Sequence, residues 1–215
     1  MVPNIDTKTR LNDFFPHLDI QTREHPEPWP ENFAAPVIRQ SGEPLRVAII
    51  GAIGPHKGSF VLLKCAEDAH KRHLPIQFHV FGYSDKTELG NLPNVSFSGK
   101  YTEDQLEQLL ARNQCHVAFF PAVWPETYSY TLSQAWFAGL YPVAFDIGAI
   151  AERIRRSSWG HVLPFDLVTR PAEINDALLS PRPPRRPDSF VPVTGTHLYK
   201  SIMVDYYEMD LERAN

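Results

Sequence analysis

Between residues 45 and 180, short apolar runs alternate with segments whose apolar residues recur every three or four positions. RVAIIGA (46–52) is continuously apolar, as a strand covered on both faces requires. IQFHVFG (76–82), VSFSG (95–99), HVAFFP (116–121), YPVAFD (141–146) and HVLPF (161–165) are the other strand candidates. KGSFVLLKCAEDAHKRH (57–73) sets Phe60, Leu63, Ala66 and Ala69 on one side and ends in basic residues, as a helix C-terminus favours. TEDQLEQLLARN (102–113) reads as a helix with Thr102 as N-cap and acids in its first turn. Further helices are expected up to a C′ glycine at Gly139, over 149–157 and over 171–180. This βαβ succession predicts an α/β fold, a doubly wound, Rossmann-like parallel sheet of about six strands with helices on both faces. Ligands of such sheets bind outside the carboxyl ends of the strands. The chemistry is therefore sought in the loops 52–56, 82–94, 99–101, 121–128, 146–148 and 165–169.

Proline marks the limits of that unit. Seven of the 20 prolines lie in residues 1–44 and five in 181–192, against eight across 45–180. The ends are expected to be loop-like: 1–44 a linker or the remnant of a preceding domain, 45–180 the folded unit, 181–215 a Pro-rich linker and a C-terminal helix. PRPPRRP (181–187) reads as a stiff polyproline II linker, and THLYKSIMVDYYEMD (196–210) places Leu198, Ile202, Tyr206 and Met209 on one helical face.

Composition adds exclusions. The 215 residues are 43% apolar and 21% charged, with a net charge of −4. That balance is globular and argues against a nucleic-acid partner. Cys65 and Cys115 sit in apolar segments and read as buried free thiols, which suits a reducing, cytoplasmic setting. No stretch approaches the roughly 20 apolar residues of a membrane span. The nine histidines are scattered without HExxH spacing, so no metal is expected, and GxSxG is absent.

Two loops carry unusual residues. GAIGPHKG (51–58) is neither a Walker loop nor GxGxxG, so the nicotinamide Rossmann class lacks its fingerprint. Its Lys57 precedes a helix start, where a cation opposes the dipole by about 0.3–1 kcal/mol. An anion between Lys57 and the free amides would reverse that cost; a solvated surface lysine is the alternative. In PETYSYTLSQAW (125–136), Glu126 precedes three candidate N-caps, Thr127, Ser129 and Thr131. Glu126 and Gln134 are about 2.2 helical turns apart, on one side if the helix begins early enough. A simple dipole complement is the other reading of Glu126. Glu152 either faces the cleft or complements its own helix, and Arg153, Arg155 and Arg156 read as a solvated face.

Taken together, GAIGPHKG, VSFSGKYTEDQL and PETYSYTLSQAWFAGLYPVAFDIGAIAERI resemble the donor-binding half of a GT-B glycosyltransferase, most closely family 4, the glycosyl transferases group 1. The resemblance runs from about Arg46 to Ser180. It implies transfer from a nucleotide diphosphate sugar with retention of configuration and no metal. It also implies a further N-terminal domain that holds the acceptor, a glycan or a lipid-linked molecule, with peripheral membrane contact through that domain as an option. Gly54, Lys57 and Gly58 then belong to the loop at the donor pyrophosphate, and Glu126 to the carboxylate beside the donor sugar. Tyr128, Ser129, Tyr130 and Thr131 match the segment that presents helix amides to phosphate. Gln134 matches a ribose-binding glutamate, and Lys100 and Tyr101 fall in the loop at the base. Three positions depart from the family pattern: Ala52 replaces a frequent arginine, Ser129 the usual glycine, and Gln134 the second glutamate. A nucleotide-binding or interaction module without transferase activity of its own is the second expectation.

Overall fold

A computed structural model describes residues 1–23, 25, 33–183, 185–188 and 190, with the backbone alone at 103 and 104. The helix expected over 196–210 lies outside the described residues. Six strands form one sheet: β1 Leu45–Ile53, β2 Ile76–Ser84, β3 Val95–Phe97, β4 Val117–Phe120, β5 Tyr141–Phe145 and β6 His161–Leu163. The helices are α1 Ile5–Phe14, α2 Ser59–Lys71, α3 Glu103–Asn113, α4 Tyr130–Phe137, α5 Gly148–Ser157 and α6 Pro171–Leu179. The sheet order is β3-β2-β1-β4-β5-β6, and every pairing is parallel.

The alternation of β1 builds two cores. Leu45, Val47, Ile49 and Ile53 pack with Leu62, Cys65 and Ala66 of α2 and Ile174 and Leu178 of α6. Ala48 and Ile50 face the other way, against Leu106 of α3, Leu132 and Trp136 of α4 and Ile150 and Ile154 of α5. Phe78, Phe81, Phe119, Phe145, Trp136 and Trp159 are fully buried, each side chain contributing about 1.5–3 kcal/mol of transfer free energy. Both cysteines are buried free thiols, and burial raises both pKa values, that of Cys115 to about 12. No helix among the described residues is long and apolar enough to cross a membrane.

Three expectations need correction. Of the expected α2 stripe, Leu63, Ala66 and Ala69 are buried, but Phe60 is 58% exposed, because the inward face turns through Val61, Leu62 and Cys65 at that end. The first 44 residues are not all loop: α1 forms on local signals that the proline count hid. Asn4 is its N-cap and accepts from the Thr7 amide at 2.8 Å, and Asp6 pairs with Arg10 at 2.8 Å. The described part of 181–187 lies on the domain rather than standing off it. Arg186 donates to the Trp136 carbonyl at 3.2 Å and stacks over the Phe33 and Phe190 rings. The 33–35 segment runs beside the end of α4, where Ala34 donates to the Phe137 carbonyl at 2.9 Å. Gly139 permits that approach: a Cβ there would stand 2.6 Å from the Ala35 carbonyl oxygen, at a φ of +79°.

Candidate functional site

The chain leaves β1 toward β2 and β3, then returns to place β4 on the other side of β1. β1 and β4 therefore flank the point where the winding reverses, and the loops that follow them diverge to open a crevice. One loop carries Lys57 and the other Glu126. The structure brings them together, with Lys57 Nζ 3.8 Å from Glu126 Oε1. Both side chains keep some solvent contact, 32% and 19% exposed. Such a pair contributes at most about 1 kcal/mol. Lys57 is therefore paired with Glu126 but only weakly committed to it.

Local sequence fixes this geometry. Gly54 is extended and starts a 3-10 turn over Pro55–Lys57, with Lys57 N–H donating to the Gly54 carbonyl at 3.0 Å. Proline presets that turn. Gly58 follows at φ +76°, and a Cβ there would lie 1.9 Å from the Pro121 carbonyl oxygen. Only glycine lets the turn pack against the end of β4. Gly58 is also the N-cap of α2, and no side chain caps its first amides.

The second loop ends at α4, which begins at Tyr130. Glu126 thus stands before the helix, and the helical spacing that would align it with Gln134 does not apply. Gln134 lies in the second turn, half-buried, with no side-chain hydrogen bond among the described residues. Ser129 holds the N-cap position, but its hydroxyl pairs with Thr131 Oγ1 at 3.1 Å and no side chain caps the helix. Free amides and a positive dipole end therefore meet the crevice. Ser129 sits at φ +79°, a conformation that favours glycine.

Arg153 supports that turn, contrary to the expectation of a solvated face. It is 3% exposed and donates to the Ser129 carbonyl at 2.7 Å, the Tyr128 carbonyl at 3.3 Å and Ser133 Oγ at 2.6 Å. Its guanidinium also lies 4.2 Å from the Tyr128 ring centre and 5.2 Å from that of Trp136. Arg155 and Arg156 are exposed, with Arg155 paired to Asp146. The spacing held a clue: Arg153 falls three residues after Ile150 and one before Ile154, on the buried stripe of α5.

The N-terminal segment contributes residues that sequence reasoning missed. Asn4 donates from Nδ2 to the Thr127 carbonyl. Glu152 accepts from the Ile5 amide at 3.1 Å and the Asp6 amide at 3.2 Å, so it complements the dipole of α1, not of its own helix. Gly148 brings α5 against the Glu126 loop, where Ala149 N–H donates to the Glu126 carbonyl at 2.8 Å. His25 packs against the Tyr128 ring, tilted by 56° at 4.9 Å between ring centres, and hydrogen-bonds the Tyr130 hydroxyl. Nothing in the sequence around these residues signals contacts more than 100 positions away. Lys100 and Tyr101 occupy the β3–α3 connection at the same end of the sheet. Lys100 is exposed, 5.9 Å from the Tyr83 ring centre, while Tyr101 packs against the α3–α4 core.

A parallel doubly wound sheet, with a lysine, a carboxylate and a helix N-terminus without a side-chain cap at its switch point, defines a Rossmann-like domain with a candidate site. The family model for glycosyl transferases group 1 matches residues 32–186, and the chain belongs to that family. No curated protein sequence matches it. The fold is that of glycosyltransferases of known structure. The lipopolysaccharide outer core galactosyltransferase WaaB superposes with a TM-score of 0.64 at 13% identity, over 94% of this chain and 60% of that protein. Anabaena Alr3699/HepE, solved with UDP and glucose, gives 0.57 at 15% identity over 78% and 49%. The pneumococcal O-GlcNAc transferase GtfA, solved with UDP and GlcNAc, gives 0.55 at 15% identity over 95% and 38%. The chain thus spans between 38% and 60% of the lengths of these three proteins.

Proposed function

We propose that this domain binds the nucleotide diphosphate sugar of a retaining, family 4 glycosyltransferase, as the C-terminal half of a two-domain GT-B protein. The observation that carries this reading is the meeting of Lys57 and Glu126 beside the uncapped start of α4. In this scheme Lys57 leaves its weak pair to face the donor diphosphate, and the amides of Tyr130 and Thr131 meet the same charge. Charge growing on the leaving diphosphate is then matched by fixed dipoles and one cation, with no metal in the scheme. Gly54 and Gly58 shape the loop, Tyr128 and Ser129 shape the turn, and Glu126, released from Lys57, sits beside the sugar. Gln134 takes the ribose, while Lys100 and Tyr101 border the base. The acceptor, a glycan or a lipid-linked molecule, is held by a further N-terminal domain that also sets any membrane contact, and the work is done in the cytoplasm.

Calorimetric titration with a nucleoside diphosphate and the matching nucleoside tests this. A charge-assisted contact is worth about 1.5–3 kcal/mol. Lys57→Ala should then weaken the diphosphate by about tenfold to a hundredfold and leave the nucleoside nearly unchanged. An equal loss for both ligands would refute the assignment. Ala52 and Gln134 favour a second reading, a binding module that transfers no sugar, since against the family pattern Ala52 lacks a cation and Gln134 has a neutral amide in place of a carboxylate. Turnover of a nucleotide sugar by the isolated chain would exclude it.

A further inference from the structure

At the other end of the sheet, by the amino ends of β1, β4 and β5, lies a cavity of about 270 Å³ lined by Arg39, His116, Tyr141, Trp159, Leu179 and Arg182. It is remote from the Lys57 crevice because all six strands are parallel. Its charges do not balance. Arg46, behind His116, lies 3.9 Å from Glu43 and 3.2 Å from His116 Nε2. Arg39 donates from Nε to the Glu43 backbone carbonyl at 2.8 Å. Arg182 donates to the Leu178 carbonyl and lies 5.6 Å from the Tyr141 ring centre. Neither Arg39 nor Arg182 has a carboxylate partner among the described residues. With Glu43 set against Arg46, two guanidinium charges remain among the described residues. His116 adds none at neutral pH, because burial and the nearby arginines push its pKa down to about 4. Burial likewise lowers that of Arg182 to about 10. Desolvating cations without a counter-charge is unfavourable, and an anion in reach of both forks removes the penalty.

We propose that this cavity binds a small phosphate monoester, its dianion bridging Arg39 and Arg182 and its organic part lying on the apolar wall. The dianion matches the two uncompensated charges, and phosphate oxygens suit two guanidinium forks. The volume is below the usual range of sites for drug-sized ligands, which restricts the organic part to a few carbons. The walls come from 36–39, just before β1, and 179–183, at and after the end of α6. A bound ester therefore ties together the segments that enter and leave the domain. This goes beyond the donor-site reading and does not depend on it.

The test uses the full chain carrying Lys57→Ala, which removes the phosphate cation of the donor crevice. Glycerol phosphate, glycerol and succinate are titrated at pH 7.5 with amide and arginine NMR signals observed. Glycerol phosphate should bind and shift Arg39, His116 and Arg182, and glycerol should not. Arg39→Gln should weaken binding at least tenfold while the thermal melt still shows a folded protein. Arg182→Lys, which keeps the charge but loses the fork, should weaken it several-fold. Succinate binding as tightly as glycerol phosphate would overturn the phosphate assignment. Shifts confined to 51–58 and 128–134, no binding, or an unchanged affinity in Arg39→Gln would overturn the site.

Discussion

Replacing Arg153 by methionine tests whether a buried cation holds the turn that opens the site. The substitution keeps length and removes the guanidinium from 2.7 Å of the Ser129 carbonyl and 2.6 Å of Ser133 Oγ. Each well-made acceptor left unsatisfied costs about 1–3 kcal/mol. The ring contacts with Tyr128 and Trp136 add roughly 1 kcal/mol. Against this, the apolar side chain no longer bears the desolvation of a buried charge, several kcal/mol in isolation. The balance is a loss of about 2–3 kcal/mol, or about 5–10 °C in Tm for a chain of this size. Urea unfolding should show a lower midpoint with an unchanged slope. The second variant makes the reasoning specific. Ser129 stands at φ +79°, a strain of about 1 kcal/mol that Arg153 restrains. Ser129→Gly in the wild-type background should be nearly neutral: relief of strain is offset by the lost Thr131 contact and by the entropy of an added glycine. In the Arg153→Met background the same change should recover about 1 kcal/mol. A stability within 0.5 kcal/mol of wild type for Arg153→Met, or strictly additive effects of the two changes, would refute the clamp.

Two further outcomes are expected. Gln134→Glu should tighten a ribose-containing diphosphate several-fold and its 2′-deoxy analogue hardly at all, because a carboxylate accepts both ribose hydroxyls in bonds about twice as strong as neutral ones; calorimetry with the two ligands decides it, and weaker binding by the variant removes Gln134 from the ribose. His116 is held neutral in the fold, so the unfolded chain takes up a proton first, and stability present above pH 6.5 should fall as the pH drops toward about 4. His116→Gln should flatten that part of the urea-midpoint profile, leaving the smaller contribution of His79, whose pKa burial also lowers.

The fold was legible because its signals are local and periodic. The continuous apolar run at 46–52 is β1, the strand buried on both faces, and the helices following it show their 3.6-residue stripes. The meeting of Lys57 and Glu126 was legible for a topological reason: loops after β1 and β4 must adjoin at the switch point once the order of the sheet is known. What the sequence hid is of two kinds. Asn4, Asp6 and Arg10 spell a capped helix, but a regional count of prolines outweighed three residues of local chemistry. Arg153 looked like one of three surface arginines, though its register with Ile150 and Ile154 placed it inside. The partnerships of Glu152 with Ile5 and Asp6, and of His25 with Tyr128 and Tyr130, span over 100 residues and exist only once the N-terminal segment has packed against α5 and the turn before α4. No periodicity reports such contacts.

The central claim is that a nucleoside diphosphate occupies the crevice between the β1 and β4 loops. Mapping amide chemical shifts on adding UDP to the wild-type chain tests this most directly. The account predicts that the largest changes fall at residues 51–58 and 128–134, with the Tyr130 and Thr131 amides moving furthest downfield as they meet phosphate. Shifts gathered elsewhere, or no change at those two amides when the ligand is bound, would contradict it.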